Sequence, residues 1–198
     1  TCLAGKMHFV GPDQKHGFQD RITTDIYPSD FAWTPDWTRA DARIDKWYHN
    51  MATVQESGAA VATFQTDYDD EVDFAARRWL IDRGRDRGAG EARPFCLVAS
   101  FIHPHDPYVA KPEFWDLYDG VDIALPEQPW APETLDPFAR RVSDGIEATD
   151  VPLTDAEVRR ARRAYLANVS YFDSKIGAMV QALRDIGELD NTLVIVTA

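Results

Sequence analysis

The sequence is poor in cysteine and in positive charge, and it has no long apolar run. Its two cysteines, Cys2 and Cys96, form no Cys-x-x-Cys or Cys/His spacing, which argues against a disulfide framework or a zinc knuckle. Lysine and arginine total 21 against 33 acidic residues, a net charge of −12, so no nucleic-acid partner is expected. No stretch approaches the roughly 18 apolar residues of a membrane span, and no signal peptide is visible. These absences predict a cytoplasmic protein with no membrane partner.

Both ends of the sequence have the character of interrupted strands. The first residues, TCLAG, are typical of the end of a buried strand that runs into a glycine turn. The last residues, NTLVIVTA, form an apolar, β-branched run with no turn after it. We therefore expect an internal part of a longer protein, with a fold that is incomplete at both ends.

Between these ends the pattern alternates strands and helices. A helix is predicted over 67–82, a buried strand over 95–101, and an irregular excursion over 109–153 with one short helical piece in EFWDLY. The capping box Thr154/Glu157 predicts the start of a long helix, Gly187 its end, and NTLVIVT a second buried strand. The order predicts an α/β fold with a mostly parallel sheet flanked by helices. The inner face of the long helix is predicted as Val158, Ala161, Tyr165, Val169, Phe172, Ile176, Val180 and Leu183.

Four basic side chains follow the two strands nearest the start of the chain. Lys6 and His8 come after the first strand, in GKMHF, and His103 and His105 come after the next, in IHPHDPY. Ligands gather at the carboxyl ends of strands in open α/β sheets. An ammonium group and imidazole N–H donors suit a sulfate or phosphate oxyanion. Each residue taken singly is more often solvated or structural, so the hypothesis depends on all four.

Six longer strings of the sequence together resemble the sequences of a known protein family. GKMHFVGPDQKHGF, TTDIYP.DFAWTPDW, W.YHN, YDDEV, SFIHPHDPYVA.PEFWDLY and RRAYLANVSYFDSKIG, in this order and spacing, resemble the choline sulfatase branch of the type I sulfatases. The resemblance implies an alkaline-phosphatase-like fold, with 1–198 as the central part of the catalytic domain. It implies that the intact protein is a sulfuric ester hydrolase, a homo-oligomer that cleaves choline-O-sulfate to choline and sulfate.

The same resemblance assigns roles to individual residues. Lys6 and His8 match the sulfate-binding pair, and His105 matches the histidine beside the scissile oxygen. His103 has no general counterpart in the family, so it is expected only to support the substrate site. The family uses a formylglycine nucleophile and a divalent metal, usually calcium. Neither cysteine lies in the required C/S-x-P-x-R context, and the resemblance places the family's metal-binding aspartates outside both ends of the chain. The chain alone is therefore expected to bind no metal and to be inactive.

The substrate's quaternary ammonium group requires a different kind of contact. It cannot donate a hydrogen bond, so its recognition depends on aromatic faces, worth about 0.5 to 2 kcal/mol each, and on nearby carboxylates. Trp33, Trp37, Trp47 and Tyr48 could supply such faces, although a tryptophan near prolines is most often a packing residue. Matching to the choline branch selects Trp33, with His49 and Asn50 as its neighbours.

Three alternatives remain open from the sequence. A phosphodiesterase or phosphonate monoester hydrolase of the same superfamily would share Lys6, His8 and His105. A metallohydrolase could bind zinc through HPHD, although Pro104 and Pro107 constrain that segment. A non-catalytic binding module is the third.

Overall fold

The computed structural model of the protein describes residues 1–27, 38, 50–91, 93–128 and 131–197. The chain divides into two compact units, one from 1–33, 64–102 and 172–198, and the other from 34–63 and 103–171. The strands are β1 (Cys2–Gly5), β2 (Asp20–Arg21), β3 (Gly58–Ala59), β4 (Leu97–Ser100) and β5 (Val109–Ala110). The α-helices are α1 (Ala52–Gln55), α2 (Phe64–Gly88), α3 (Pro112–Trp115), α4 (Pro137–Gly145) and α5 (Asp155–Asp185), and short 3-10 turns cover Asp116–Tyr118, Pro132–Thr134 and Leu189–Asn191.

The first unit is built on a three-stranded sheet in the order β2-β1-β4. β1 runs parallel to both neighbours, with Cys2 opposite Asp20 on one side and Leu97 on the other. β1 is fully buried, as the apolar run CLAG predicts. β4 is half-buried along its length rather than covered on both faces as predicted. The parallel arrangement confirms the predicted sheet type.

Helix α2 supplies most of the core against this sheet. Its buried side chains Tyr68, Val72 and Ala76 pack with Ala4 of β1 and with Ile102, just beyond β4. The helix continues past the predicted end at residue 82, through the arginine-rich stretch up to Gly88. Ion pairs three or four residues apart, such as Arg85 with Asp82, support this extension, since such pairs stabilise a helix surface.

The second unit contains a two-stranded parallel sheet, β3 with β5. Three arginines of α5 bind backbone carbonyl oxygens of separate irregular segments: Arg159 that of Ile123, Arg160 that of Gln55, and Arg163 that of Trp115. The guanidinium of Arg163 also lies 4.2 Å from the centroid of the Trp115 ring. These contacts explain how the proline-rich excursion is held without long strands of its own.

The predicted capping box begins α5. The Thr154 amide donates to the Glu157 carboxylate at 2.8 Å, and the Glu157 amide donates back to the Thr154 hydroxyl at 3.3 Å. The predicted inner face is only partly right. Tyr165 and Val169 are 45% and 38% exposed, and the buried residues in this part of the helix are Ala161, Ala164, Ala167, Asn168 and Tyr171. Small alanines allow the helix to approach its neighbours closely, so the largest apolar side chains did not indicate the buried face.

Two further predictions need correction. Residues 192–197 form no strand in the structure, and Leu193 and Ile195 are 84% and 75% exposed. The expected 109–153 excursion does contain the short helix α3, but it also contains α4, which was missed. Asp136 caps α4 by accepting from the amides of Phe138 and Ala139, with Pro137 in the first turn. Among the described residues, none of the helices combines the length and apolar character required to cross a membrane.

Candidate functional site

Lys6 and His8 lie in the segment that leaves the carboxyl end of β1, the Lys6–His8 turn. Gly5, the last residue of the strand, has φ +110°, and a Cβ there would lie 1.8 Å from the carbonyl oxygen of Ser100 in β4. The backbones therefore approach so closely that only glycine fits. The Lys6 amide donates to that same carbonyl at 3.0 Å. This contact places Lys6 where two adjacent parallel strands end, as predicted.

Two polar side chains that the sequence did not indicate hold this turn. The Gly5 amide donates to the buried Thr23 hydroxyl at 2.7 Å. The Asp25 carboxylate accepts from the amides of Met7 and His8 at 2.9 and 2.7 Å. His8 has φ +55°, a conformation uncommon outside glycine and asparagine, which needs surrounding contacts to persist. The His8 side chain is exposed, Lys6 is half-buried, and both side chains extend from a turn with a defined backbone.

His103 and His105 lie in the loop that follows β4, in the second unit. The amide of Ile102, which precedes the loop, donates at 2.8 Å to Asp69, a carboxylate of α2 with no exposed surface. His103 is 3% exposed and packs edge-to-face on Tyr171, with ring centroids 5.2 Å apart. A buried ring in this setting agrees with the expected supporting role better than with substrate contact.

His105 is the exposed histidine of the loop, with 41% of its side chain accessible. Its Nδ1 lies 2.9 Å from the carbonyl oxygen of Asp106 and 2.8 Å from that residue's carboxylate. Both partners are acceptors, so Nδ1 carries a proton and the neutral ring keeps its acceptor at Nε2. The carboxylate also stabilises positive charge on the ring. His105 can therefore exchange a proton through Nε2.

Comparison with known proteins identifies the family. The sequence profile described as Sulfatase matches residues 4–198. The chain belongs to the sulfatase family. It is 48% identical over 196 residues to a choline-sulfatase of Rhizobium meliloti (strain 1021). The alignment covers 98% of this chain and 38% of that protein. It is 32% identical over 202 residues to the human N-sulphoglucosamine sulphohydrolase, covering 100% of this chain and 31% of the relative.

A third relative is named for the alkaline phosphatase superfamily rather than for the sulfatases. The multifunctional alkaline phosphatase superfamily protein PehA of Trinickia caryophylli is 26% identical over 144 residues, covering 67% of this chain and 27% of that protein. The chain thus spans well under half the length of each of these relatives. The much higher identity to the choline-sulfatase confirms the choline sulfatase branch, and the parallel strands with flanking helices fit the alkaline-phosphatase-like fold.

The remaining predicted residues of this sulfatase chain fall in or beside a segment that the structure does not describe. Trp33 and His49 lie outside the described residues. Asn50 is half-buried, and its side-chain oxygen accepts from the Ala52 amide at 2.9 Å, where α1 begins. Its side-chain oxygen is thus used locally.

The described residues do not fit the sulfatase metal or nucleophile. No group of three or more His, Cys, Asp or Glu side chains within the described ranges is arranged to hold a metal ion, so the zinc interpretation of HPHD gains no further ligand there. Cys2 is completely buried, and burial, with the nearby Asp20 carboxylate, raises the pKa of its thiol to about 11. A buried thiol that ionises only at high pH is a poor nucleophile.

Proposed function

We propose that this chain forms the oxyanion-binding and choline-binding part of a sulfuric ester hydrolase that cleaves choline-O-sulfate. The observation that carries the proposal is the Lys6–His8 turn at the end of β1, pinned to β4 through Ser100. The 48% identity to a choline-sulfatase over nearly the whole chain supports the choice of substrate. The activity belongs to the full-length protein that contains this chain.

The three proposed residues share two tasks at the sulfate ester: binding the sulfuryl oxygens and protonating the leaving oxygen. The Lys6 ammonium group and the His8 imidazole bind the sulfuryl oxygens and neutralise charge that grows on them in the transition state. His105, oriented by Asp106 at Nδ1, donates a proton from Nε2 of its imidazolium form to the ester oxygen as the alcohol leaves, and the ring is left neutral with its proton at Nδ1. When bound, the formylglycine and metal of the family would supply the nucleophile and the Lewis acid, since none of these three residues provides either.

The proposal is tested by Lys6→Ala and His105→Ala in the full-length protein. Each should lower kcat about 10² to 10³-fold with a smaller change in KM, because the lost group acts mainly as charge moves in the transition state. Matched controls lie in the same segment as Lys6. Lys15 donates to the Gln19 carbonyl, and His16 packs against Phe9, so Lys15→Ala and His16→Ala should keep near-normal kcat. A near-normal kcat in Lys6→Ala or His105→Ala overturns the role of that residue.

Recognition of choline is proposed for Trp33, with His49 and Asn50 beside it. An indole face attracts the trimethylammonium in both the ground state and the transition state, so Trp33→Ala should raise KM for choline-O-sulfate about tenfold with less effect on kcat. An aryl sulfate without a cation should be hydrolysed almost as well as by the unaltered protein. Trp37→Ala, from the same FAWTPDW segment, is the control. Equal losses on both substrates, with a lower melting temperature, would assign Trp33 to packing instead.

A phosphoryl substrate is the second candidate, and the similarity to the alkaline phosphatase superfamily protein PehA is the observation in its favour. Lys6, His8 and His105 would serve a phosphoryl group in the same roles, because both groups present tetrahedral oxyanions. Steady-state rates on choline-O-sulfate, an aryl sulfate, an aryl phosphate diester and a phosphonate monoester discriminate the two. A kcat/KM that is highest on a phosphorus ester would favour the second candidate.

A further inference from the structure

The backbone of the Lys6–His8 turn is held by one buried carboxylate. The Asp25 side chain is only 3% exposed. Its Oδ2 accepts from the amides of Met7 and His8, and its Oδ1 accepts from the Ile26 amide at 3.0 Å. Hydrogen bonds to an ionised acceptor are stronger than those between neutral groups. Two of these three bonds go to the turn itself, so its backbone path follows the position of Asp25.

Arg21 of β2 holds the Asp25 carboxylate in place. Its Nη2 donates to Asp25 Oδ2 at 3.2 Å and to the Gly5 carbonyl at 3.1 Å. Its Nη1 donates to the backbone and side-chain oxygens of Gln14, and its Nε donates to the Thr23 carbonyl. The Arg21 side chain is 6% exposed, so the planar guanidinium is held on every side. Its positive charge also offsets the Asp25 charge, which would otherwise repel an oxyanion bound at the turn.

We propose that Asp25 is a positioning residue, which aims the Lys6 and His8 side chains at the sulfuryl group by fixing the backbone between them. The inference rests on the proposed function, because it assumes that this turn binds the oxyanion. It extends that function to a residue that touches no substrate. A misplacement of the reacting groups by about 1 Å can cost on the order of 10²-fold in rate, so loss of Asp25 should be visible in catalysis.

Asp25→Asn is the sharpest substitution because it keeps the shape of the side chain and no orientation of the amide satisfies the site. If its oxygen replaces Oδ2, its NH₂ group faces the Ile26 amide. If it is reversed, the NH₂ group faces the amides of Met7 and His8. Both orientations set donor against donor. In the first orientation the bonds to Met7 and His8 are kept but weakened by the loss of the negative charge and by the clash at Ile26, and in the second they are lost, so the variant disturbs the turn while adding no bulk.

A double-mutant cycle in the full-length protein separates positioning from a general structural effect. Asp25→Asn, Lys6→Ala and the double variant are compared by kcat/KM on choline-O-sulfate per folded enzyme. Asp25→Asn alone should lose about 10 to 100-fold. Once Lys6 is absent there is less to position, so the double variant should fall within about threefold of Lys6→Ala. Asp73→Asn is the control: Asp73 is a carboxylate of α2 with 6% side-chain exposure that pairs with Arg77 four residues away, as Asp25 pairs with Arg21. It should keep its kcat/KM.

The possible results separate the two proposals. Normal kcat/KM in Asp25→Asn beside a strongly impaired Lys6→Ala overturns the positioning role and leaves the proposed function intact. Losses that multiply in the double variant overturn the positioning of Lys6, because Asp25 would then act independently of that side chain. Near-normal kcat/KM in Lys6→Ala overturns both. If Asp25→Asn does not fold, Arg21→Lys takes its place in the same cycle, because it keeps the charge and cannot reach all of the Arg21 acceptors.

Discussion

Replacing Gly5 with alanine should strongly destabilise the protein, for two reasons that the structure separates. The first is conformational: φ +110° is unfavourable for any residue with a Cβ and costs about 1 to 3 kcal/mol. The second is steric. The new methyl group would lie 1.8 Å from the Ser100 carbonyl oxygen, so the two strands must separate by well over 1 Å. Such overpacking costs about 1 to 3 kcal/mol, and the lost Lys6 to Ser100 hydrogen bond adds about 1 kcal/mol.

Together these effects predict a loss of about 3 to 7 kcal/mol in the free energy of unfolding. Gly17→Ala is the matched control. Gly17 also has a positive φ, +92°, and a Cβ there meets no atom within 4 Å, so it isolates the conformational cost of about 1 to 3 kcal/mol. Urea unfolding of the full-length protein, followed by intrinsic fluorescence, measures both variants. If Gly5→Ala loses no more than Gly17→Ala, the close approach of β1 and β4 is not a constraint on the fold.

Two further predictions concern ionisable groups. The Cys2 thiol, with its pKa raised to about 11 by burial, should react with iodoacetamide at pH 8 only after denaturation. Because its neutral form is favoured in the fold, it stabilises the protein fully below the unfolded pKa near 9 and less as pH rises from there towards 11; rapid labelling of native Cys2 would contradict this. Hydrogen bonds from Thr154 lower the pKa of Glu157 below its usual 4.5. Its stabilising effect is therefore present above pH 4.5 and lost as pH falls through the lower folded value. The melting temperatures of the protein and of Glu157→Gln should accordingly differ at pH 6 and converge at acid pH, and a constant difference would refute the capping role.

Features of the fold with a local sequence signal were predictable. The capping box of Thr154 and Glu157 involves residues three apart, and the helix that it starts was found where expected. Helix α4 carried a signal of the same kind, Asp136 followed by Pro137, but the surrounding prolines favoured an irregular segment. The strand predicted over 192–197 shows the limit of such signals. An apolar, β-branched run indicates a strand only when a neighbouring strand is present to pair with it.

Some residues of the candidate site could likewise be predicted from the sequence, and others could not. Lys6, His8 and His105 belong to short strings that resemble those of a known family, so they could be proposed from the sequence. Asp25 and Asp69 also lie in such strings, TTDIYP and YDDEV, but the resemblance assigns them no role and their sequence neighbours indicate no partner. The Asp69 carboxylate accepts from Ile102, which lies 33 positions away. An aspartate without an assigned role is more often solvated, and only the packed structure shows which backbone amides these two carboxylates bind.

The sheet register explains why Asp25 lies where it does. Cys2 pairs with Asp20 and Leu3 with Arg21, a separation of eighteen positions along the parallel ladder between β1 and β2. The same separation recurs beyond the strands, where the Gly5 amide donates to the side chain of Thr23 and the Met7 amide donates to that of Asp25.

Thr23 and Asp25 are two residues apart, as side chains on one side of an extended chain must be. After β2 the chain leaves the sheet. From there on, the amides of the chain that continues from β1 donate to these two side chains instead of to backbone carbonyls. The turn that carries Lys6 and His8 is therefore shaped by the register of β1 on β2 rather than by its own residues. A change that slips this register by one residue would move both acceptors away from the turn and disable it with Lys6 and His8 still present.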